Sequence, residues 1–197
     1  PVTRVQNGAR HDTPAVVPQL WAQRGGAGTG DIDGEAAGDY SGNSVSLSAD
    51  GNTVAIGASG NDGLNGQVYE AGHTRIYRWH AGTAAWDQLG SDIDGEAGYD
   101  FSGIAVSLSA DGNTVAIGAF GNGGLNGQVN QGGHTRIYRW NVGTETWNQL
   151  GNDIDGEAAA DLSGWSVSLS AVGNTVAIGA HQNDGLNRQA SGHTRIY

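Results

Sequence analysis

Apolar and polar positions alternate along this chain in short runs, and the runs return at a fixed spacing. In the middle of the chain, Ala105-Val106-Ser107-Leu108-Ser109 alternates small polar with apolar residues, the period-two pattern of a strand with one buried face. Asp111-Gly112 then interrupts the pattern, and Asp-Gly between two such runs is a strong hairpin signal. Thr114–Ala119 follows as a second strand, apolar enough to be buried on both faces. A Gly- and Asn-rich loop covers 121–133, and His134–Trp140 alternates again as a third strand. A short turn containing Gly143 leads to Trp147–Gly151, a fourth strand running on into Asp153–Gly156. No stretch has helical periodicity, so the expected fold class is all-β.

The same order of runs occurs three times. Asp-Ile-Asp-Gly-Glu-Ala begins at Asp31, Asp92 and Asp153, a step of 61 residues. Gly-Asn-Thr-Val-Ala-Ile-Gly-Ala begins at Gly51, Gly112 and Gly173, and Gly-His-Thr-Arg-Ile-Tyr at Gly72, Gly133 and Gly192. A fixed period of this length means stacked or radially arranged units, none of which can bury its apolar face alone. The expected organisation is an atypical strand segment over 1–30, repeats over 31–91 and 92–152, and a third over 153–197 that lacks its last strand. Four-stranded antiparallel units in tandem fit the blades of a β-propeller. Three blades are too few to close a ring, so the array is either open or completed by strand exchange with another copy.

The segments Phe101–Ser109, Val115–Ala119 and Gly133–Tyr138 resemble the FG-GAP repeat of integrin α-subunit propellers: Phe-Gly-x-Ser-Val, a strand ending in Gly-Ala, then Gly-x-Val-x-Val-Tyr. The similarity covers about 31–197 and includes the repeat length. It implies blades and an extracellular binding or structural role, as in large surface or secreted microbial proteins with tandem repeats of this kind. One feature departs from the family. Its Ca²⁺ loop between the first two strands is here only Ser48-Ala49-Asp50-Gly51-Asn52 and equivalents, with Val172 in place of the Asp in the third copy. That connection is too short and too poor in carboxylates to wrap a cation, so the family's metal site does not carry over.

Composition narrows the function classes. The 197 residues include nine Arg, no Lys and 20 acidic residues, for a net charge of −11. Nucleic acid and anionic membrane surfaces both require a basic footprint, which this chain lacks. No apolar run approaches the ~20 residues of a membrane-spanning helix. Cys and Met are absent, so no disulfide framework is available, and an opening Pro1 in a Met-free chain points to a processed or excised part of a larger product.

The acidic turns are the first candidate chemistry. Asp31, Asp33 and Glu35, Asp92, Asp94 and Glu96, and Asp153, Asp155 and Glu157 place alternate carboxylates beside a Gly, as Ca²⁺ loops do. The competing reading is an Asx-type turn, with Asp39, Asp100 and Asp161 capping entry to the next unit. His73, His134 and His193 sit at strand starts, where a hydrogen bond to a neighbouring loop is expected rather than one shared ion. Arg75, Arg136 and Arg195 are expected to pair with the acidic turn of an adjacent unit and so hold the register. Trp79, Trp86, Trp140 and Trp147 serve either as core spacers, the favoured reading, or as sugar-stacking platforms. Trp165, where the other copies have Asn43 and Ile104, is an exposed contact or a unique interface residue. The loops at 61–67, 122–128 and 183–189 supply ligand candidates in Asn61, Asp62, Asn65, Asn122, Asn126, Asn183, Asp184 and Asn187, against the alternative of loops packed on themselves.

Enzyme signatures are missing. The glycines at 25–30 have no following Lys, there is no Gly-x-Ser-x-Gly elbow, and there is no Cys. Assembly is the better expectation. Trp21-Ala22-Gln23 is a degenerate Trp-Asp-Gln, and Pro1–Val5 echoes His-Thr-Arg-Ile, so the N-terminal segment with Val2, Val5 and Trp21 supplies a strand that the last repeat, with His193, Arg195 and Tyr197, lacks. The expected function is a non-enzymatic extracellular or cell-surface module assembling head-to-tail into a fibre, surface layer or ring. The alternative is a ligand-binding or adhesive propeller, taking a glycan or protein and using Ca²⁺.

Overall fold

A computed structural model describes residues 23–25, 30–63, 66, 68–123, 131–185 and 190–197. It is all-β: among the described residues thirteen strands form three antiparallel sheets, and there is no α-helix. The first sheet holds β1 (Ser44–Leu47), β2 (Thr53–Ala58), β3 (His73–His80), β4 (Ala85–Gln88) and β5 (Ile93–Asp94). The second holds β6 (Ala105–Leu108), β7 (Thr114–Ala119), β8 (His134–Asn141), β9 (Thr146–Gln149) and β10 (Ile154–Asp155). Among the described residues the third holds β11 (Ser163–Leu169), β12 (Val176–Ala180) and β13 (His193–Ile196). Register repeats with the sequence: Val45 lies opposite Ile56 and Ile56 opposite Arg75, as do Val106, Ile117 and Arg136, and Val167, Ile178 and Arg195.

The fourth ply differs from the single strand expected. It is broken in two, β4 pairing with Tyr77–His80 and β5 with His73 and Thr74, and likewise β9 and β10 on β8. Gly90 and Gly151, both at positive φ (77° and 71°), turn the chain at the break, a conformation that costs glycine little. Each outer ply therefore ends in the Asp-Ile-Asp segment that opens the following repeat. β13 has no such partner among the described residues.

The sheets are layered face on face, with apolar clusters between them. Ala55, Ile76 and Ile93 from the first sheet meet Val106, Leu108, Val115 and Ile117 from the second. Ala116 of the second meets Val176 and Ile178 of the third, flanked by Ile137, Ile154, Val167 and Leu169. Burial of this kind stabilises by roughly 25 cal/mol per Å² of apolar surface. The first strands of the sheets are joined by polar contacts as well. Val106 N–H and Leu108 N–H donate to the hydroxyls of Ser44 and Ser46, Leu169 N–H to that of Ser107, Ala49 N–H to Ala110 C=O, and Ala110 N–H to Ala171 C=O. The alternating serines thus satisfy edge N–H groups that pairing within a sheet leaves over.

Such intimacy needs glycine. A Cβ on Gly57 would lie 1.9 Å from Gly103 C=O oxygen, and one on Gly118 1.9 Å from that of Gly164. Backbone cannot yield there, so Gly118→Ala should cost about 3 kcal/mol. Gly179→Ala meets only the Ser166 hydroxyl, at 2.3 Å, which can rotate away, so its cost should stay below about 1 kcal/mol; urea unfolding of the two variants checks the contrast.

The Asp-Gly hairpin turns close on their own side chains. Ser48 Oγ and Asn52 N–H donate to Asp50 Oδ1 (2.6 and 2.9 Å), and Ser109 and Asn113 treat Asp111 in the same way. The hydrogen bond from Ser48, with those from Asn52, lowers Asp50 to about 2, and Ser109 and Asn113 lower Asp111. Both carboxylates therefore add stability above their ordinary pKa near 4, and that stability is lost as pH falls through their lowered values. Val172 leaves the third turn without this carboxylate; there Ser170 Oγ donates to Asn174 instead. Val172→Asp should raise Tm by about 2–4 °C at pH 7, a gain that fades in melting curves recorded toward pH 2.

Candidate functional site

Acidic turn, strand start and next acidic turn meet where consecutive sheets join. At the better enclosed junction, β8 begins with His134 immediately after Gly133, whose positive φ of 73° lets the backbone run beside Ser163 in a parallel bridge. His134 is buried to 1% exposure, and its Nδ1 lies 3.9 Å from Glu96 Oε2 and 3.7 Å from Asp153 Oδ2. Neither ring nitrogen has a hydrogen-bond partner. The first junction repeats the arrangement, His73 Nδ1 lying 3.8 Å from both Glu35 Oε2 and Asp92 Oδ2. The ligand-type atoms of each trio lie within 4.8 Å of one another. At the third, His193 Nδ1 faces Glu157 Oε2 at 3.6 Å, with no Asp from a following turn among the described residues.

Each carboxylate is held by its other oxygen. Gln149 Nε2 donates to Asp153 Oδ1 (2.7 Å) and Gln88 Nε2 to Asp92 Oδ1 (2.6 Å). Arg136 Nη1 lies 3.6 Å from Glu96 Oε1, and Arg75 Nη1 lies 3.7 Å from Glu35 Oε1. Burial pushes up Glu96, against the opposing charge of Arg136, and pushes up Asp94 and Asp155 with help from Asp92 and Asp153. Burial, reinforced by Arg136, lowers His134 to about 4.

The sequence-derived candidates are distributed unevenly. The carboxylates of one turn do not gather around a common point among the described residues; each turn is divided between junctions. Glu35 and Glu96 face the His of the strand that follows, Asp92 and Asp153 face the His of the strand before, and Asp33, Asp94 and Asp155 offer their carbonyls to Arg75, Arg136 and Arg195. Asp31 is exposed and accepts from Gln23 Nε2. The three histidines begin strands as expected, but the expected hydrogen bond to a loop is missing at His134, because the ring is aimed at carboxylates just beyond bonding distance. Arg136 Nη2 reaches Asp94 C=O at 2.6 Å, so the arginine contact crosses between sheets through a carbonyl and an ion pair rather than a two-pronged fork.

Asp39, Asp100 and Asp161 are buried and structural. Asp100 Oδ2 accepts from Glu96 and Ala97 N–H and from Asn122 Nδ2, and Asp161 Oδ2 from Ala158 N–H and Asn183 Nδ2, tying turn to loop. Asn61, Asn122 and Asn183 are buried accordingly, with Asn61 and Asn183 also accepting from Gly63 and Gly185 N–H. Asp62 and Asp184 accept from Glu70 and Ala190 N–H. Asn65, Asn126 and Asn187 lie outside the described residues, as do Val2, Val5 and Trp21.

Two further features were not legible from single residues. The tryptophans pair edge to face at 5.4 Å (Trp79 and Trp86) and tilted at 5.5 Å (Trp140 and Trp147), and Trp147 Nε1 donates to Leu89 C=O across the sheet boundary, a packing role. Separately, a row of rings runs across all three sheets: Tyr69, Tyr99, Phe101, Phe120, Trp165 and His181 lie in successive contact at 4.7–6.5 Å. Tyr69, Tyr99 and Trp165 are exposed in it. Of the six, only Phe120 and His181 stand at equivalent positions, 61 residues apart, so the repeat pattern does not announce the row.

No family model matches this chain, and no curated protein is significantly similar to it.

Arg136 is 5% exposed and joins Glu96, Asp94 C=O and the ring of Tyr138 at 5.5 Å. Lysine would keep the charge but lose the planar, multiply donating head. Arg136→Lys should therefore lower stability by about 1–3 kcal/mol, measured by denaturant unfolding.

Proposed function

We propose that this chain is a non-enzymatic extracellular structural module whose sheets are propeller-type blades and whose copies join head to tail. The observation that carries this reading is that, among the described residues, the two outermost faces are exposed versions of the internal interface. Val45 and Leu47 are 63% and 60% exposed, whereas their equivalents Val106 and Leu108, covered by the first sheet, are 8% and 6%. At the other end Ile196 is 72% exposed, whereas Ile76, covered by the second sheet, is 1%. Docking the β1 face of one copy on the β13 face of another would bury these residues as Val106, Leu108 and Ile76 are buried. Exposed apolar surface and an open strand edge are common marks of association.

Three polar features fit the same docking. Ser168 occupies at the far end the position from which Ser46 and Ser107 accept the next sheet's N–H. His193 faces Glu157 with no second carboxylate among the described residues, and Asp31 occupies the position of Asp92 and Asp153. Gln23 donates to Asp31 as Gln88 does to Asp92, which supports reading the segment ending in Gln23 as an outer ply for β13 of another copy, by strand addition. A head-to-tail contact either closes into a ring or extends as a filament. The likeness of the repeats to the FG-GAP pattern supports blades and a place outside the cell or on its surface.

Light scattering and sedimentation over a range of concentrations test the reading. Mass should rise with concentration, and Leu47→Asp or Ile196→Asp should each return the chain to monomer; a monomer at all concentrations would refute it. The exposed aromatic row favours a second reading, adhesion to glycans by ring stacking. In that case Trp165→Ala would abolish retention on a glycan array without changing the mass.

A further inference from the structure

We infer that the two complete junctions, Glu96–His134–Asp153 and Glu35–His73–Asp92, bind a divalent transition-metal cation of the zinc type. Three independent features of the junctions converge on it. First, the donor set is one imidazole nitrogen and two carboxylate oxygens from three separate chain segments, mutually within 4.8 Å. Zinc held by nitrogen and oxygen at 2.0–2.2 Å in tetrahedral geometry places its ligands about 3.4 Å apart. The distances of 3.7 and 3.9 Å from His134 to the two carboxylates need to contract by only a few tenths of an ångström.

Second, His134 is 1% exposed and neither of its nitrogens is hydrogen-bonded, with Nδ1 aimed between the two carboxylates. A buried polar atom left without a partner is costly, and a cation bound at Nδ1 removes that deficit. Third, the carboxylates are oriented from behind. Gln149 holds Asp153 Oδ1 and Arg136 faces Glu96 Oε1, leaving Oδ2 and Oε2 turned toward the ring. Gln88 and Arg75 do the same at the first junction. Outer partners that orient first ligands in this way are the usual companions of metal sites. Glu96 and Asp153 are partly exposed, which provides an entry path. An imidazole with only two carboxylates suits zinc, cobalt or nickel, whereas Ca²⁺ takes six to eight oxygens. A cation here would link two consecutive acidic turns to the strand between them, at positions that the Ca²⁺ reading of a single turn does not combine.

Untagged chain stripped with EDTA, at a concentration where it is monomeric, is titrated with Zn²⁺ by calorimetry and with Co²⁺ by visible absorption. Two equivalents should bind, with Ca²⁺ giving no signal over the same range. The surface double variant Glu96→Gln/Asp153→Asn should lose one equivalent, and Gln149→Ala should weaken one of the two sites by about 10–100-fold. These variants avoid the buried imidazole, so a folding defect in His134→Ala would leave the test intact. Absence of uptake, or two equivalents persisting in the double variant as they would if exposed His80 and His181 were the ligands, would overturn the assignment.

Discussion

Backbone of one sheet touches backbone of the next at Gly57 against Gly103 and at Gly118 against Gly164, and the other contacts between sheets follow from that distance. A single methyl group at Gly57 or Gly118 would sit 1.9 Å from a carbonyl oxygen. With the sheets this close, a serine hydroxyl on one first strand can reach the N–H of the next, and small residues such as Ala55 and Ala116 can fill a core that leucines would force apart. The same glycines set the strand starts: a Cβ on Gly103 would meet His73 C=O at 2.4 Å, and one on Gly164 that of His134 at 2.2 Å. The spacing that packs the apolar faces thus also brings each histidine to the following turn.

The junctions are therefore a property of pairs of repeats. Glu96 opens the second sheet, His134 begins its third strand, and Asp153 lies just before its last ply. Arg136 crosses to Asp94 at the end of the first sheet, and Trp147 crosses to Leu89. A single 61-residue unit would carry half of each polar contact and one uncovered apolar face at each side. Among the described residues the outermost faces have that exposed apolar character, with Val45 and Leu47 at one end and Ile196 at the other.

Much of the fold was legible in the residues. Alternation in Ala105–Ser109, the Asp-Gly break at 111–112 and the apolar run Thr114–Ala119 correspond to β6, its hairpin and β7 with boundaries shifted by a residue at most. Among the described residues the third sheet has three strands, β11, β12 and β13. The break of the outer ply at Gly90 and Gly151 was not legible, because both halves run in the same direction along one partner strand and only a local turn at these glycines separates them. Among candidate site residues, the histidine, glutamate and aspartate types were identifiable, but their grouping was not. Asp31, Asp33 and Glu35 look like one ligand set along the chain, whereas the chain leaves the strand after Asp94, so that Asp92 faces His73 and Glu96, beyond Gly95, faces His134.

By itself, the sequence determined that the chain is built of repeated antiparallel strands with tight Asp-Gly turns, since period-two alternation and turn chemistry are local and act within a few residues. Tertiary structure alone decided which glycines must be glycine, which serines serve as acceptors, that Asp100 and Asn122 close a turn while Asp153 faces a histidine, and that six rings line up across the sheets. Those outcomes depend on separations between backbones roughly 20 to 60 residues apart in sequence, and such distances are fixed by how faces pack on one another.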